Sequence, residues 1–450
     1  MSRRFLALIL ALAALAVLAP GADAATKKRV FTPAAADSGV LVFKVEGLAA
    51  RRVRRGYLER RGQRRAVKAG RIREAAGGGL LRIRMPSAWR ARAADGEEDR
   101  AGRARLVVLM ADPGDLGRTT CGSASVTQGL GNFGVGSWPG ACWRPYADDS
   151  PFNQLLPRRP RLDPRSDAIV RRVTGWGEPA ELRAGVAGTE GDWQHPIYYP
   201  DGNDPEFEIH CVEDWGTCEI EGMRVRIPDA AKAAAGSDGH LTVVDQDSGW
   251  EYDFWQVRRK PRGGGRLVIS WGGRTRIEGD GLGSDANAAH YGSLAGIIRA
   301  EEMRRGRIDH ALFMLVRCDS GRKVYPARGL GLPCDSSAGA PSQGTRFQLD
   351  MSPAEIDALR APEWKKTILR AMADYGLYVG DTTGGTPWNI WFESGSSYTS
   401  FGRRDPFVSF ARDAGLRRSS DDTYYFDWAS GINWRRHLRV VDPCVAERSC

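Results

Sequence analysis

Apolar and polar residues alternate at strand period over much of this chain. Val40-Leu41-Val42-Phe43-Lys44-Val45 is rich in β-formers, and Leu81, Ile83 and Met85 alternate with Arg82 and Arg84. A further apolar run covers 105–110, with turns at Gly77-Gly78-Gly79 and Asp95-Gly96. These features predict a small basic all-β domain over 25–115. Residues 116–145 are glycine-rich and read as a linker stapled by Cys121 and Cys142. From 146 onward, strand-like runs at 193–199, 207–212, 223–227, 240–244, 251–257, 266–271, 308–317 and 346–349 are separated by Gly, Asp and Pro turns. That spacing predicts a mainly β main domain over 146–450, of β-sandwich or jelly-roll type. A few docked helices interrupt it, near 293–305 and 352–375. Ser293 caps the first and Gly306 stops it. Ser352-Pro353-Ala354-Glu355 forms a capping box ahead of a second helical stretch, 362–375, which Gly376 ends before a buried strand at 377–379. No internal repeat is visible.

The N-terminus adds a compartment. Arg3 and Arg4 precede an apolar run over 5–19, then Pro20-Gly21 and the small-residue pattern Ala22-Asp23-Ala24. This predicts a secretory signal over 1–24, cleaved before Ala25, with an uncleaved anchor as the alternative. No later run reaches the roughly 18 apolar residues of a spanning helix, and no hydrophobic tail precedes Cys450. All eight cysteines follow the signal, as four near-neighbour couples: Cys121 with Cys142, Cys211 with Cys218, Cys318 with Cys334, and Cys444 with Cys450. An even count in an exported chain predicts disulfides that pin local loops. A zinc site is disfavoured because no Cys-x-x-Cys pair occurs. The net charge of +10 is concentrated in residues 25–115, with 22 Lys and Arg against 10 Asp and Glu. A basic face of this kind suits an anionic cell-envelope polymer or a membrane surface, or is simply solvated. Export argues against nucleic acid as a partner.

Candidate chemistry concentrates on the hairpin 245–256. Asp247-Ser248-Gly249 turns 240–244 against 251–257, and on the second strand Tyr252 and Phe254 face one way while Glu251, Asp253 and Trp255 face the other. Carboxylates at i and i+2 stand about 6.6 Å apart along a strand, within the ~5–9.5 Å that glycoside hydrolases use. Trp255 would stack a sugar ring. The plain alternative is an acidic solvent face. A second constellation is Trp193-Gln194-His195-Pro196-Ile197-Tyr198-Tyr199. Here His195 shares a strand face with Trp193 and Tyr199, and His with Tyr is the minimal set for β-elimination. A structural histidine is the commoner use of such a residue. Asp280, Asp285 and Asn287 ahead of His290 offer oxygens for calcium without EF-hand spacing, and His310 shares its face with Ile308, Leu312 and Met314 as a core histidine. No nucleophile elbow, His-Glu-x-x-His or phosphate loop is present.

The string Glu251-x-Asp253-x-x-Gln256 resembles the Glu-x-Asp-x-x-Glu strand of laminarinase-like β-sandwich glucanases. The resemblance implies Glu251 as nucleophile and Asp253 as its helper. Gln256 stands where that family has its acid/base glutamate, and glutamine has no such proton to give. Gln194-His195 is similar to the Gln-x-His strand of jelly-roll alginate lyases, without its spacer. Tyr252–Gln256, 294–302, 308–312 and 375–381 together resemble an uncharacterised secreted bacterial family, common in actinobacteria, over roughly 146–400.

The expectation is therefore a secreted carbohydrate-active protein, a polysaccharide hydrolase or lyase. Glu251, Asp253, His195 and Tyr199 are its catalytic candidates, and Trp193, Trp255 and Gln256 its substrate-binding ones. No cofactor or metal is called for. The alternative is a non-catalytic glycan or cell-wall binder. Substrate, disulfide connectivity and oligomeric state stay open, and the catalytic expectation depends on these side chains lining one open cleft.

Overall fold

The computed structural model describes residues 143–450 continuously and, before them, 27–31, 33–37, 40–44, 53–60, 63–68, 71–72, 80–84 and 105–110. The signal over 1–24, the Cys121–Cys142 linker and the arginine side chains between 51 and 65 lie outside the described residues. The chain divides into two compact units, Met1–Asp115 and Leu116–Cys450.

In the first unit, strands β1 (Lys27–Phe31), β2 (Pro33–Asp37), β3 (Val40–Lys44), β4 (Val53–Arg60), β5 (Gln63–Val67), β6 (Leu80–Arg84) and β7 (Arg105–Met110) form two antiparallel sheets. Their orders are β1-β7-β4-β5 and β2-β3-β6.

The second unit is mainly strand with a few helices, and none of its described sheets closes into a barrel. A six-stranded sheet runs β11 (Arg224–Arg226), β10 (Glu206–Cys211), β14 (Gly265–Arg276), β13 (Trp250–Arg259), β12 (Leu241–Asp245) and β9 (Ile197–Tyr198). A five-stranded sheet runs β18 (Trp388–Ile390), β15 (Leu312–Val316), β17 (Leu377–Thr382), β16 (Arg346–Leu349) and β20 (Leu438–Val441). β8 (Leu182–Ala184) pairs with β19 (Tyr424–Phe426). The predicted hairpin forms with Leu241 opposite Phe254 and Val244 opposite Glu251.

Period-two alternation divides these strands among three apolar clusters. Leu241, Val243, Tyr252 and Phe254 enter one with Phe207 and Ile269. Leu312, Met314, Leu377 and Val379 enter another with Trp364, Ile368 and Phe426. Side chains of both large sheets, among them Val244, Phe313 and Tyr378, meet in the third. The five-stranded sheet is therefore covered on both faces, and the six-stranded sheet is so at β12 and the first half of β13, while β10 and β11 keep Glu208 and Arg224 exposed.

The stretch 143–153 helps to make that cover. The Trp143 carbonyl accepts from Arg299 Nη2 at 2.7 Å, and Tyr146 Oη donates to Glu251. Asn153 Nδ2 ties the stretch to itself through the Pro145 and Ala147 carbonyls.

Two expected elements differ. The run 193–199 is strand only at Ile197–Tyr198. The helix expected over 293–305 is a single 3-10 turn at Ser293–Ala295, then extended chain, then a helix Ala300–Arg305. Residues 291–300 are all buried, so the chain cannot expose a polar helical face there. Instead Gly296 lies against β15, where a Cβ would sit 2.1 Å from the Phe313 nitrogen, and Ile298 bridges to Phe392. The capping box does form, starting the helix Pro353–Ala358, and Glu363–Asp374 follows. Cys211–Cys218, Cys318–Cys334 and Cys444–Cys450 are disulfides. No helix among the described residues is long and apolar enough to cross a membrane.

Candidate functional site

Glu251 and Asp253 do share a face, but that face is interior, with exposures of 0% and 1%. Glu251 accepts from Tyr146 Oη and from Leu294 N–H at 2.9 Å. Asp253 accepts from Thr242 Oγ1 at 2.7 Å and Ser293 N–H at 3.2 Å. Burial, and then the charge of Asp253, pushes the Glu251 carboxyl well above the usual range, and burial raises Asp253 against the hydrogen bonds that it accepts. The pair is a satisfied interior network, unavailable to a sugar. The solvent-facing reading of this strand is thereby corrected.

His195 and Tyr199 are also enclosed, at 3% and 4% exposure. The His195 ring stacks on His240 at 3.8 Å and packs on Trp391 at 4.0 Å. Desolvation lowers both histidines, His240 to about 3, so they stack as neutral rings. Tyr199 meets Trp143 edge-on. The two candidates for β-elimination thus sit in packing. Trp193 parts from them, because the strand that would have aligned the three exists only beyond Pro196.

The accessible site lies beside the middle of β13, where full burial ends after Phe254. A cleft of about 910 Å³ opens there, a size typical of small-ligand sites, roughly 300–1,000 Å³. Trp193 and Trp215 stand at it 50% and 60% exposed. Trp255 of β13, Trp271 of β14 and Trp391 complete an indole lining. Trp215 is presented by the loop that Cys211–Cys218 closes, with its ring 5.3 Å from Trp255 and 5.7 Å from Trp271. Trp391 is set by a parallel stack on Phe313 at 3.6 Å. Gln256 turns away from the cleft, in a positive-φ position (φ 50°), and accepts from Ser270 Oγ at 2.6 Å.

Three aspartates stand among these rings. Asp381, at the end of β17, accepts from its neighbour Thr382 N–H at 2.7 Å. Burial pushes its carboxyl up to about 7, with the charges of Asp238 and Asp319 adding to the rise and the Thr382 and Ala288 amides opposing it. Asp285 shows the reverse balance. Burial raises it, but His290 Nε2 donates at 2.7 Å and Trp271 Nε1 at 3.0 Å, and together they hold the carboxyl below its ordinary value. Asp238 is raised by burial and receives a hydrogen bond from Trp255. It is placed where Gln256 N–H donates to the Asp238 carbonyl at 2.8 Å. Glu181 adds a fourth acid to the lining, and Arg183 is its single Lys or Arg.

The side-chain oxygens offered for calcium are engaged within the chain. Asn287 spends both ends of its amide on the Tyr291 backbone, Asp285 is held by His290 and Trp271, and Asp280 caps Leu282 N–H. No group of three or more His, Cys, Asp or Glu among the described residues is placed to hold a metal. His310 is the core histidine expected, bonded to the Ala311 carbonyl and Glu302.

Trp193 and Trp255 are the two sequence candidates that reach the cleft. Trp215, Trp271, Asp238 and Asp381 were not anticipated. The available signal for Trp215 was a tryptophan inside a seven-residue cysteine spacing, too short to bury it. Compared with known proteins, the chain matches no family model, no curated protein and no solved structure at a significant level.

Proposed function

We propose that this is a secreted carbohydrate-active protein whose indole-lined cleft takes an uncharged glycan segment. The carrying observation is that cleft itself, lined by five tryptophans, of which Trp193 and Trp215 are largely exposed, and by four carboxylates. Indoles offer flat apolar faces to the C–H faces of sugar rings, while carboxylates accept hydroxyl hydrogen bonds. The support earlier sought in Glu251 and Asp253 is gone, so the reading rests on the cleft alone. In this reading the two large sheets pack as a sandwich about their shared aromatic cluster, and the chain belongs to the uncharacterised secreted bacterial family that it resembles.

Charge decides between hydrolysis and elimination. β-Elimination requires a uronate, whose carboxylate must be neutralised before the adjacent carbon yields a proton. The lining carries Glu181, Asp238, Asp285 and Asp381 against Arg183, and Arg183 also lies over the Tyr425 ring. Such a lining repels a polyuronate. Hydrolysis of a neutral glycan is the reaction it suits.

The test is a glycan panel read by tryptophan fluorescence on the mature protein. Neutral oligosaccharides should perturb the emission and polyuronates should not. A response confined to polyuronates would sink the assignment, and so would no response to any glycan.

A further inference from the structure

We propose that Asp381 is the proton donor and Asp285 the proton acceptor of a glycoside hydrolysis carried out in this cleft. The inference rests on the glycan reading above and assigns its chemistry. Both carboxyls line the same cavity from different elements, Asp381 from the end of β17 and Asp285 from the loop following β14. Their surroundings differ in the way an acid and a base require. No Lys or Arg among the described residues pairs with Asp381, and its electrostatic neighbours are the like-charged Asp238 and Asp319. Asp285 is gripped by two N–H donors, from His290 and Trp271. Two carboxyls whose environments drive them apart in acidity are the usual mark of an acid and base pair. His290 is held at φ 59°, a left-handed conformation uncommon for a residue with a side chain. That strain is consistent with a ring fixed for its partner rather than for the loop.

The step balances with water as the only co-reactant. Asp381 gives its proton to the glycosidic oxygen as the C–O bond to the anomeric carbon breaks, and the leaving sugar departs as an alcohol. Water attacks that carbon and passes its proton to Asp285. The proton then returns to Asp381 through solvent, which resets the site. Because water attacks in a single displacement with no covalent intermediate, the product is inverted at the anomeric carbon. Asp238 is a positioning residue, whose charge keeps the proton on Asp381. The remaining titratable or charged groups facing the cleft are His240, His290, Glu181 and Arg183.

The probes are end-labelled hexasaccharides of glucan, mannan, galactan and N-acetylglucosamine, offered to the full mature protein. At least one should be cut with inversion, and the rate should fall as pH rises through about 7, where Asp381 loses its proton. D381N and D285N should each lower kcat by ~10²–10⁴-fold, with a far smaller change in Kd for an uncut ligand, since the ring-stacking area is kept and the amide oxygen still accepts a sugar hydroxyl. An activated fluoride glycoside should restore D381N but not D285N, because its leaving group needs no proton. D238N should move the alkaline limb of the pH profile downward, a shift that a merely structural role of Asp238 would not produce. Binding without cleavage of any probe overturns the catalytic assignment and leaves the glycan reading standing. Absence of binding removes both. Cleavage with retention, with activity still rising above pH 8, or with folded D381N and D285N within tenfold of wild type, overturns the assignment alone.

Discussion

Replacing Trp215 with alanine isolates what an indole at the cleft contributes to a bound sugar. The residue is 60% exposed and belongs to no buried cluster, so the fold loses little. An extended tryptophan presents up to about 250 Å², so the exposed part is on the order of 150 Å². A sugar stacked on one face covers about half of that, roughly 75 Å². At ~25 cal/mol per Å² this is about 1.9 kcal/mol, or a Kd weakened about 25-fold. Titration calorimetry with the best hexasaccharide of the panel measures it. The control is Leu155→Ala, an equally exposed apolar side chain (65%) that is not part of the cleft lining, whose loss should leave Kd unchanged. A Kd within twofold of wild type for a folded W215A protein would refute the stacking argument, because no other contact is expected to replace that area.

Other substitutions probe the framework. Glu251→Ala leaves Tyr146 Oη and Leu294 N–H without their buried acceptor, at about 1–3 kcal/mol each. It should lower denaturant stability by about 2–6 kcal/mol, whereas Glu251→Gln should stay within about 1 kcal/mol and keep glycan turnover. Because burial raises Glu251, its stabilising contribution is complete below the unfolded carboxyl value of ~4.3 and is lost as pH rises through the higher folded value. The stability gap between Glu251→Gln and wild type should therefore move in favour of Gln at alkaline pH in paired thermal melts, and a pH-independent gap would count against the buried charge. Gly273→Ala would bring a Cβ to 2.1 Å from the Asp285 nitrogen, so it should displace that loop and cost turnover far more than glycan affinity. Joint Cys211→Ser and Cys218→Ser replacement opens an eight-residue ring worth at most about 2.5 kcal/mol; it should weaken binding several-fold by freeing Trp215 while the melt stays cooperative.

The strands were legible because β-branched and aromatic residues recur at period two between turn residues. The antiparallel pairing of β12 with β13 was signalled by the turn Asp247-Ser248-Gly249. Legibility ended where the outcome depended on what lies across a face. Alternation puts Glu251 and Asp253 on one side of β13, but whether that side meets water is decided by Tyr146 and by Ser293-Leu294, distant in sequence. The same limit explains 293–305, whose helix-like composition yields to burial on every side. The cleft was harder still, since Trp193, Trp215, Asp285 and Asp381 come from four separate segments and no local spacing links them. A tryptophan left outside the core by its own short disulfide ring was the one local clue.

The stretch 143–153 has a practical bearing on where the second unit can be cut. It looks like a lead-in to the first regular strand, yet it brings the phenol that quiets Glu251 and the carbonyl that receives Arg299. A fragment trimmed to begin at Leu182 would strand an interior acid without one of its donors and deprive an interior guanidinium of an acceptor. Proteolysis after Tyr146 should therefore destabilise the unit rather than merely shorten it.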